Sequence, residues 1–154
     1  MSDRQTLVDA ALAAGCPEDQ VRNLIVAKVW LQERQLAASA AARLCDRADG
    51  PTAVGYGGAR GGGKSHWLLA QMGADDCQRV PELKCLLLRK VGKANMEHFE
   101  DLRRRLFGGL KHDFSAYRGV LTFGNVSRID GRPPLLSYRE RLPSSLCSTP
   151  RSRR

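Results

Sequence analysis

Apolar positions recur at helical spacing through the N-terminal part of the chain. Between Arg4 and Ala14, the residues Leu7, Val8, Ala11 and Leu12 fall on one face, and Gly15 supplies a stop. Cys16-Pro17-Glu18-Asp19 opens a second helix, with proline early and acids in the first turn, continued by Val21, Leu24, Ile25 and Lys28-Val29. A third runs from about Glu33 to Arg47 through Leu36, Ala37, Ala40, Ala41 and Leu44, and ends before the turn signal Asp49-Gly50-Pro51.

The pattern then changes. Thr52-Ala53-Val54-Gly55-Tyr56 is short, mostly apolar and strand-like, and a glycine-rich stretch follows it. Trp67, Leu68, Leu69 and Met72 predict a helix from near Gly63 to about Gln78, blocked by Pro81. Cys85-Leu86-Leu87-Leu88 is a continuous apolar run, as in a strand buried on both faces of a parallel sheet. Strand, loop, helix and strand would form a right-handed βαβ unit. Arg89-Lys90 would lie at the ligand-binding edge of that sheet, or simply start a basic loop.

A helix from about Asn95, a candidate N-cap, to Phe107 buries Met96, Phe99, Leu102 and Leu106. It turns Arg103-Arg104-Arg105 mostly outward, as a solvated face or a contact for DNA phosphates, and stops at Gly108-Gly109. Val120–Phe123 and Val126–Ile129 flank Gly124-Asn125 and read as a hairpin. Beyond Asp130 all period is lost, and Pro133, Pro134, Pro143 and Pro150 stand among serines and arginines, so disorder is expected.

Composition adds limits. A chain of 154 residues suits one domain. Its net charge of +9 favours polyanionic partners, yet much of the excess comes from arginines between Arg128 and Arg154, so charge alone does not specify nucleic acid. Five cysteines without a CxxC pair or metal spacing suit free thiols in a reducing cytoplasm. No signal peptide and no membrane span are expected.

The chemistry concentrates in Gly58-Ala59-Arg60-Gly61-Gly62-Gly63-Lys64-Ser65, a Gly-x-x-x-x-Gly-Lys-Ser sequence. This is the phosphate-binding loop pattern, in which glycines let successive N–H groups point into one hollow against a helix N-terminus. Lys64 would reach the β- and γ-phosphates of ATP or GTP, and the Ser65 hydroxyl would bind Mg²⁺. The bland alternative, a flexible glycine linker, has no need of Lys-Ser followed at once by an apolar helix. Gln35 carries the donor and acceptor that could pair with an adenine edge, although a solvated helix glutamine is the simpler reading of that residue alone.

The run from Gly57 to His66 resembles the phosphate loop of the large subunit of tailed-phage terminase, the DNA-packaging motor ATPase. Leu31-Gln32-Glu33-Arg34-Gln35-Leu36 resembles that family's upstream glutamine motif. Leu86-Leu87-Leu88-Arg89-Lys90 and the Thr122-Phe123-Gly124-Asn125 … Ser127-Arg128-Ile129 hairpin also resemble its N-terminal ATPase domain. The resemblance implies an α/β fold of P-loop NTPase type. It would have an incomplete parallel sheet with flanking helices, an N-terminal helical layer (1–49), a partial ATPase core (50–130) and a disordered basic tail (131–154). It implies ATP and Mg²⁺ as cofactors, contacted by Gln35 (reading adenine), Gly58, Ala59, Arg60, Gly61, Gly62, Gly63, Lys64, Ser65 and His66. Lys64 and Arg60 would be catalytic, Arg60 as a charge-stabilising finger in cis on the γ-phosphate. Double-stranded DNA, a portal protein and a small terminase subunit are the implied partners, with a ring oligomer in the intact parent and the host cytoplasm as the setting.

The sequence also departs from that family. No apolar run ends in Asp-Glu, so the acidic strand that would hold Mg²⁺ and activate water is missing, as is the nuclease domain. The chain is therefore expected to bind nucleotide but to lack the carboxylates that hydrolysis needs, as a truncated N-terminal part whose tail after about Asp130 reads as out of frame or foreign. Two other readings stay open. One is a different P-loop protein, a small kinase or a GTPase, although no Asn-Lys-x-Asp motif supports the latter. The other is an inactive remnant.

Overall fold

The computed structural model describes residues 3–59, 61–88 and 92–131, with residues 3 and 92–97 described by backbone alone. Three helices come first: α1 (Asp3–Ala13), α2 (Glu18–Ala27) and α3 (Glu33–Leu44). The first two end in the same way. After α1, the N–H of Cys16 donates to Ala11 O and that of Gly15 to Leu12 O, with Gly15 at φ 85°. After α2, Val29 donates to Leu24 O and Lys28 to Ile25 O, with Lys28 at φ 56°. These paired bonds satisfy carbonyls that the helix itself cannot. Glycine makes the first turn at little cost, whereas the second places a side chain in the left-handed region. Leu7, Ala11, Val21, Leu24, Leu36 and Ala38 are buried where the three helices meet, while Leu12 faces outward.

The helix predicted from Gly63 to Gln78 is found with an interruption. α4 (Lys64–Ala70) runs into a π-helical stretch (Gln71–Asp76) and then a last turn, α5 (Cys77–Arg79). The wider turn sits where Gly73 meets the Phe107 ring, so closely that any β-carbon there would collide with it. It also carries Asp75 into the interior, fully buried. Asp75 Oδ2 accepts from Gln20 Nε2 at 2.8 Å, Arg43 Nε at 2.7 Å and Gln71 Nε2 at 2.9 Å. Its Oδ1 accepts from Asn23 Nδ2 at 3.1 Å and Arg43 Nη2 at 2.8 Å. Arg43 also reaches Asp19 at 2.6 Å. This joint fastens α2 and α3 to the helical run that starts at Lys64.

The sheet has four strands, β1 (Lys84–Leu86), β2 (His112–Ser115), β3 (Val120–Phe123) and β4 (Arg128–Asp130), in the order β1-β4-β3-β2. α6 (Gly92–Leu106) crosses between β1 and β2. Leu121, Phe123 and Ile129 point from the sheet onto Phe99, Leu106 and Phe107, all buried in one continuous core. The Phe107 ring meets Phe123 edge-on at 5.6 Å between centroids. The predicted hairpin is present, but its connection is longer than Gly124-Asn125. Val126 donates to Phe123 O and takes φ 68°, and Phe123 donates to Ser127 O. This is the three-residue loop with a left-handed last residue. Its tip is tied to the end of α5, with Asn125 Nδ2 donating to Cys77 O at 2.6 Å and Ser127 Oγ to Val80 O at 2.7 Å.

The chain is thus mixed α/β, with an N-terminal helical layer on a helix-and-sheet body. The sheet corrects the parallel expectation, because only β1 and β4 run parallel and the other two pairings are antiparallel. The expected strand before the glycine loop is a further difference. Among the described residues Thr52–Tyr56 joins no sheet, so the βαβ crossover is not made. A strand is a ladder of shared hydrogen bonds, and an apolar sequence without a neighbour cannot make one. Tyr56 packs instead on Trp67, 4.9 Å between ring centroids.

Among the described residues no helix is long and apolar enough to cross a membrane. Cys16, Cys45, Cys77 and Cys85 are free thiols, with the Cys77 and Cys85 sulfurs 3.9 Å apart. Arg60, Arg89-Lys90, the Asn95 cap side chain, Met96 and the tail from 132 onward lie outside the described residues or side chains.

Candidate functional site

The glycine stretch leads directly into α4. Gly62 donates to Ala59 O at 3.2 Å and closes a tight turn. Gly63 then caps the helix at φ 69° and ψ 15°, and its carbonyl accepts the first helical bond from Trp67 at 2.9 Å. Two facts require glycine at 63. The left-handed conformation disfavours any side chain, and a β-carbon there would stand 2.5 Å from Gln35 Nε2. The N–H groups of a helix's first turn have no acceptor within the helix, so this is where an anion is best received.

Gln35 is held on both sides. Its Oε1 accepts from the Gln32 N–H at 2.9 Å, capping α3, and its Nε2 donates to Gly63 O at 3.1 Å. At 3% exposure its amide is spent on main chain, and it braces the loop against α3. Trp67 Nε1, donating to Ser39 Oγ at 3.0 Å, makes a second tie between the same helices. The base-reading role that the resemblance assigns to Gln35 would require the amide to leave these partners.

Lys64 is folded back over the loop. Its ammonium donates to Gly58 O at 2.8 Å and Ala59 O at 2.6 Å. Neutral carbonyls are weaker acceptors than a phosphate oxygen, so an incoming phosphate competes for this ammonium with a charge-assisted bond. Ser65 and His66 are half-buried in the first turn. Burial pushes the basicity of His66 down, against a hydrogen bond with the Trp30 main chain, and the nearby Arg105 charge pushes it further down. Burial and the Arg105 charge thus both favour the neutral imidazole.

The loop forms one wall of a cleft of about 580 Å³, lined by Gly61, Gly62, Gly63, Lys64, Ser65 and His66, and on the far side by His98, Leu102 and Arg105. Ligand pockets run from about 300 to about 1,000 Å³, so the space suits a nucleotide's phosphates. Gly58 and Ala59 are exposed at its approach. For a metal ion the donors are fewer. Among the described residues no group of three or more His, Cys, Asp or Glu side chains could hold one, and no carboxylate lines the cleft. A bound Mg²⁺ would take one protein oxygen, from Ser65, and the remainder from phosphate and water.

The sequence reading missed the far wall. His98, Leu102 and Arg105 are spaced by four and three residues along α6 and share one face. Reading the arginine triplet against that register separates Arg105 from its neighbours, because Arg103 and Arg104 both pair with Glu100. No known protein family, curated protein or solved structure matches this chain.

Proposed function

We propose that this chain binds the phosphate tail of ATP at Gly58–Ser65, as the N-terminal part of a P-loop ATPase of the terminase large-subunit type. One observation carries the reading. The Gly-Lys-Ser end of the motif stands at the start of a helix, with Gly63 left-handed and the Lys64 ammonium turned onto the loop that a phosphate would enter. A linker would give none of these positions a reason. Gln35 Nε2 donates to Gly63 O, and the Lys64 ammonium to Gly58 O and Ala59 O.

Mg²⁺ would join through Ser65, and Arg60 is proposed as the cis finger on the γ-phosphate. The packaging of double-stranded DNA with portal and small-subunit partners, the ring assembly and the host cytoplasm belong to the intact parent in this reading. Turnover by this chain alone is expected to be very slow, because among the described residues no carboxylate in the cleft can orient the attacking water.

The test is equilibrium binding of a fluorescent ATP analogue, N-methylanthraniloyl-ATP, with Mg²⁺. Lys64→Ala removes the ammonium, and a loss of about 100-fold in affinity is expected from a missing charged contact in a partly closed cleft. If the native chain binds no better than Lys64→Ala, the site is dead. The Thr52–Tyr56 segment, which pairs with no strand among the described residues, favours that second outcome, an inactive remnant, over any other nucleotide enzyme.

A further inference from the structure

We propose that Arg105 is a second cation for the bound triphosphate, supplied by α6 from across the cleft. The inference rests on the loop being a phosphate site, and it adds a residue that the loop motif does not contain. Arg105 and Lys64 line the same cleft from opposite walls. The glycine loop offers main-chain N–H groups on one side only, so a polyanion lying in it presents its other oxygens toward α6. A guanidinium there can receive two of them at once.

The arginines beside it differ in a telling way. Arg104 ion-pairs with Glu100 at 2.6 Å, and Arg103 lies 3.9 Å from Glu100 and 4.7 Å over the Phe114 ring. Arg105 makes no ion pair among the described residues. Its charge is nonetheless close enough to the loop to depress the basicity of His66. Two positive charges facing one another across a cleft repel, and an anion between them relieves the repulsion. Leu102, between His98 and Arg105 on this wall, fixes the helix through its packing on the core.

The experiment titrates the same fluorescent ATP analogue into the native full-length chain, Arg105→Ala, Arg105→Lys, Arg104→Ala and Lys64→Ala. Loss of one charged contact should weaken Arg105→Ala on the order of 10- to 100-fold. Arg105→Lys should recover part of that loss, and Arg104→Ala should stay within about 2-fold of native, its side chain being exposed and outside the cleft. Inorganic triphosphate should displace the probe from the native chain and require a higher concentration with Arg105→Ala. If Arg105→Ala binds like native while Lys64→Ala does not bind, Arg105 has no part in the site and the loop reading survives. If the native chain itself fails to bind, both fall. Arg105 is exposed, so the variants should keep the native circular dichroism spectrum, and binding loss with an unchanged spectrum is the supporting result.

Discussion

The helical run from Lys64 to Arg79 carries two polar regions built in opposite ways. Around Asp75, in the π-helical stretch, a carboxylate with no exposure receives five donors from α2, α3 and its own turn. Its bidentate partner Arg43 is nearly as buried. Only Gln20 Oε1 stays without a partner there among the described residues. At the N-terminal end, the glycine loop is open to solvent, and Lys64, its one cation among the described residues, rests on neutral carbonyls. A polar group whose bonds are complete inside the protein is structural, since it has nothing left to give a ligand. A cation held only by weak acceptors beside a cleft is what a ligand can recruit.

The comparison is broken most severely at the joint. Asp75→Ala leaves the Arg43 guanidinium buried with only Asp19 to pair with, takes the acceptor from Asn23 Nδ2, and leaves Gln20 and Gln71 with their weaker or more distant acceptors Ser39 O and Asp76. Removing one partner of a buried ion pair costs about 3 to 5 kcal/mol, a large share of the roughly 5 to 15 kcal/mol that holds a domain folded. The urea unfolding transition should be lost or moved to very low denaturant. A loss under about 1 kcal/mol would show that α2 and α3 do not depend on this joint.

At the loop the expected damage to stability is smaller and the damage to binding larger. Gly63→Ala forces a β-carbon into the left-handed region and against Gln35 Nε2. The conformational cost is about 1 to 2 kcal/mol, and displacing Gln35 disturbs both the α3 cap and the loop. Binding of the ATP analogue should be lost while the chain still folds. Gly57→Ala, where a β-carbon meets nothing within 4 Å, should change stability by under about 0.5 kcal/mol. If the two substitutions behave alike, the loop's shape is not set by the contacts seen at Gly63.

The two regions also differed in how far the sequence exposed them. The helix starts and stops are local, and Gly15, Pro17 and the apolar spacing found them. The hairpin strands were legible for the same reason, although not the longer tip that Asn125 and Ser127 tie to α5. The π-helical stretch was not legible, because the extra residue is accommodated by Gly73 lying against Phe107, a contact distant in sequence. The strand β2 was hidden too, since His112-Asp113-Phe114-Ser115 has little strand character of its own and is formed by its pairing with β3. Thr52–Tyr56 shows the converse, strand-like residues without a neighbour to pair with among the described residues. Within the site, Gly58–Ser65 was readable as a motif, whereas the bracing of Gly63 by Gln35 and the arrival of Arg105 needed the packing of α3 and α6.

The smallest effect concerns Asp76, at the margin of the joint and tied to it through Gln71 Nε2 at 3.0 Å. Burial pushes its carboxyl up to about 6 from 3.8, opposed by bonds from Gln71 and Arg79 and aided by the Asp75 charge. An acid whose folded value lies above its unfolded one keeps its proton longer in the folded chain. Between about pH 4 and pH 6 the folded state therefore binds more protons, and stability falls as pH rises through that window. Below it both states are protonated, and above it the full penalty remains. Asp76→Asn removes the penalty but weakens the contact to Arg79, which keeps Asp46 at 2.9 Å. The side chain is about a quarter exposed, and the ion pair is lost as well, so the net gain at pH 7.5 should be about 1 kcal/mol. At pH 4 the gain should vanish or reverse. Taking the difference between variant and native chain at each pH cancels the contribution of Asp19, whose carboxylate, pushed up by partial burial, is brought below its usual range by Arg43. Urea midpoints that differ equally at both pH values would mean that Asp76 is ionised in the folded chain throughout, and that its bonds to Gln71 and Arg79 outweigh its burial.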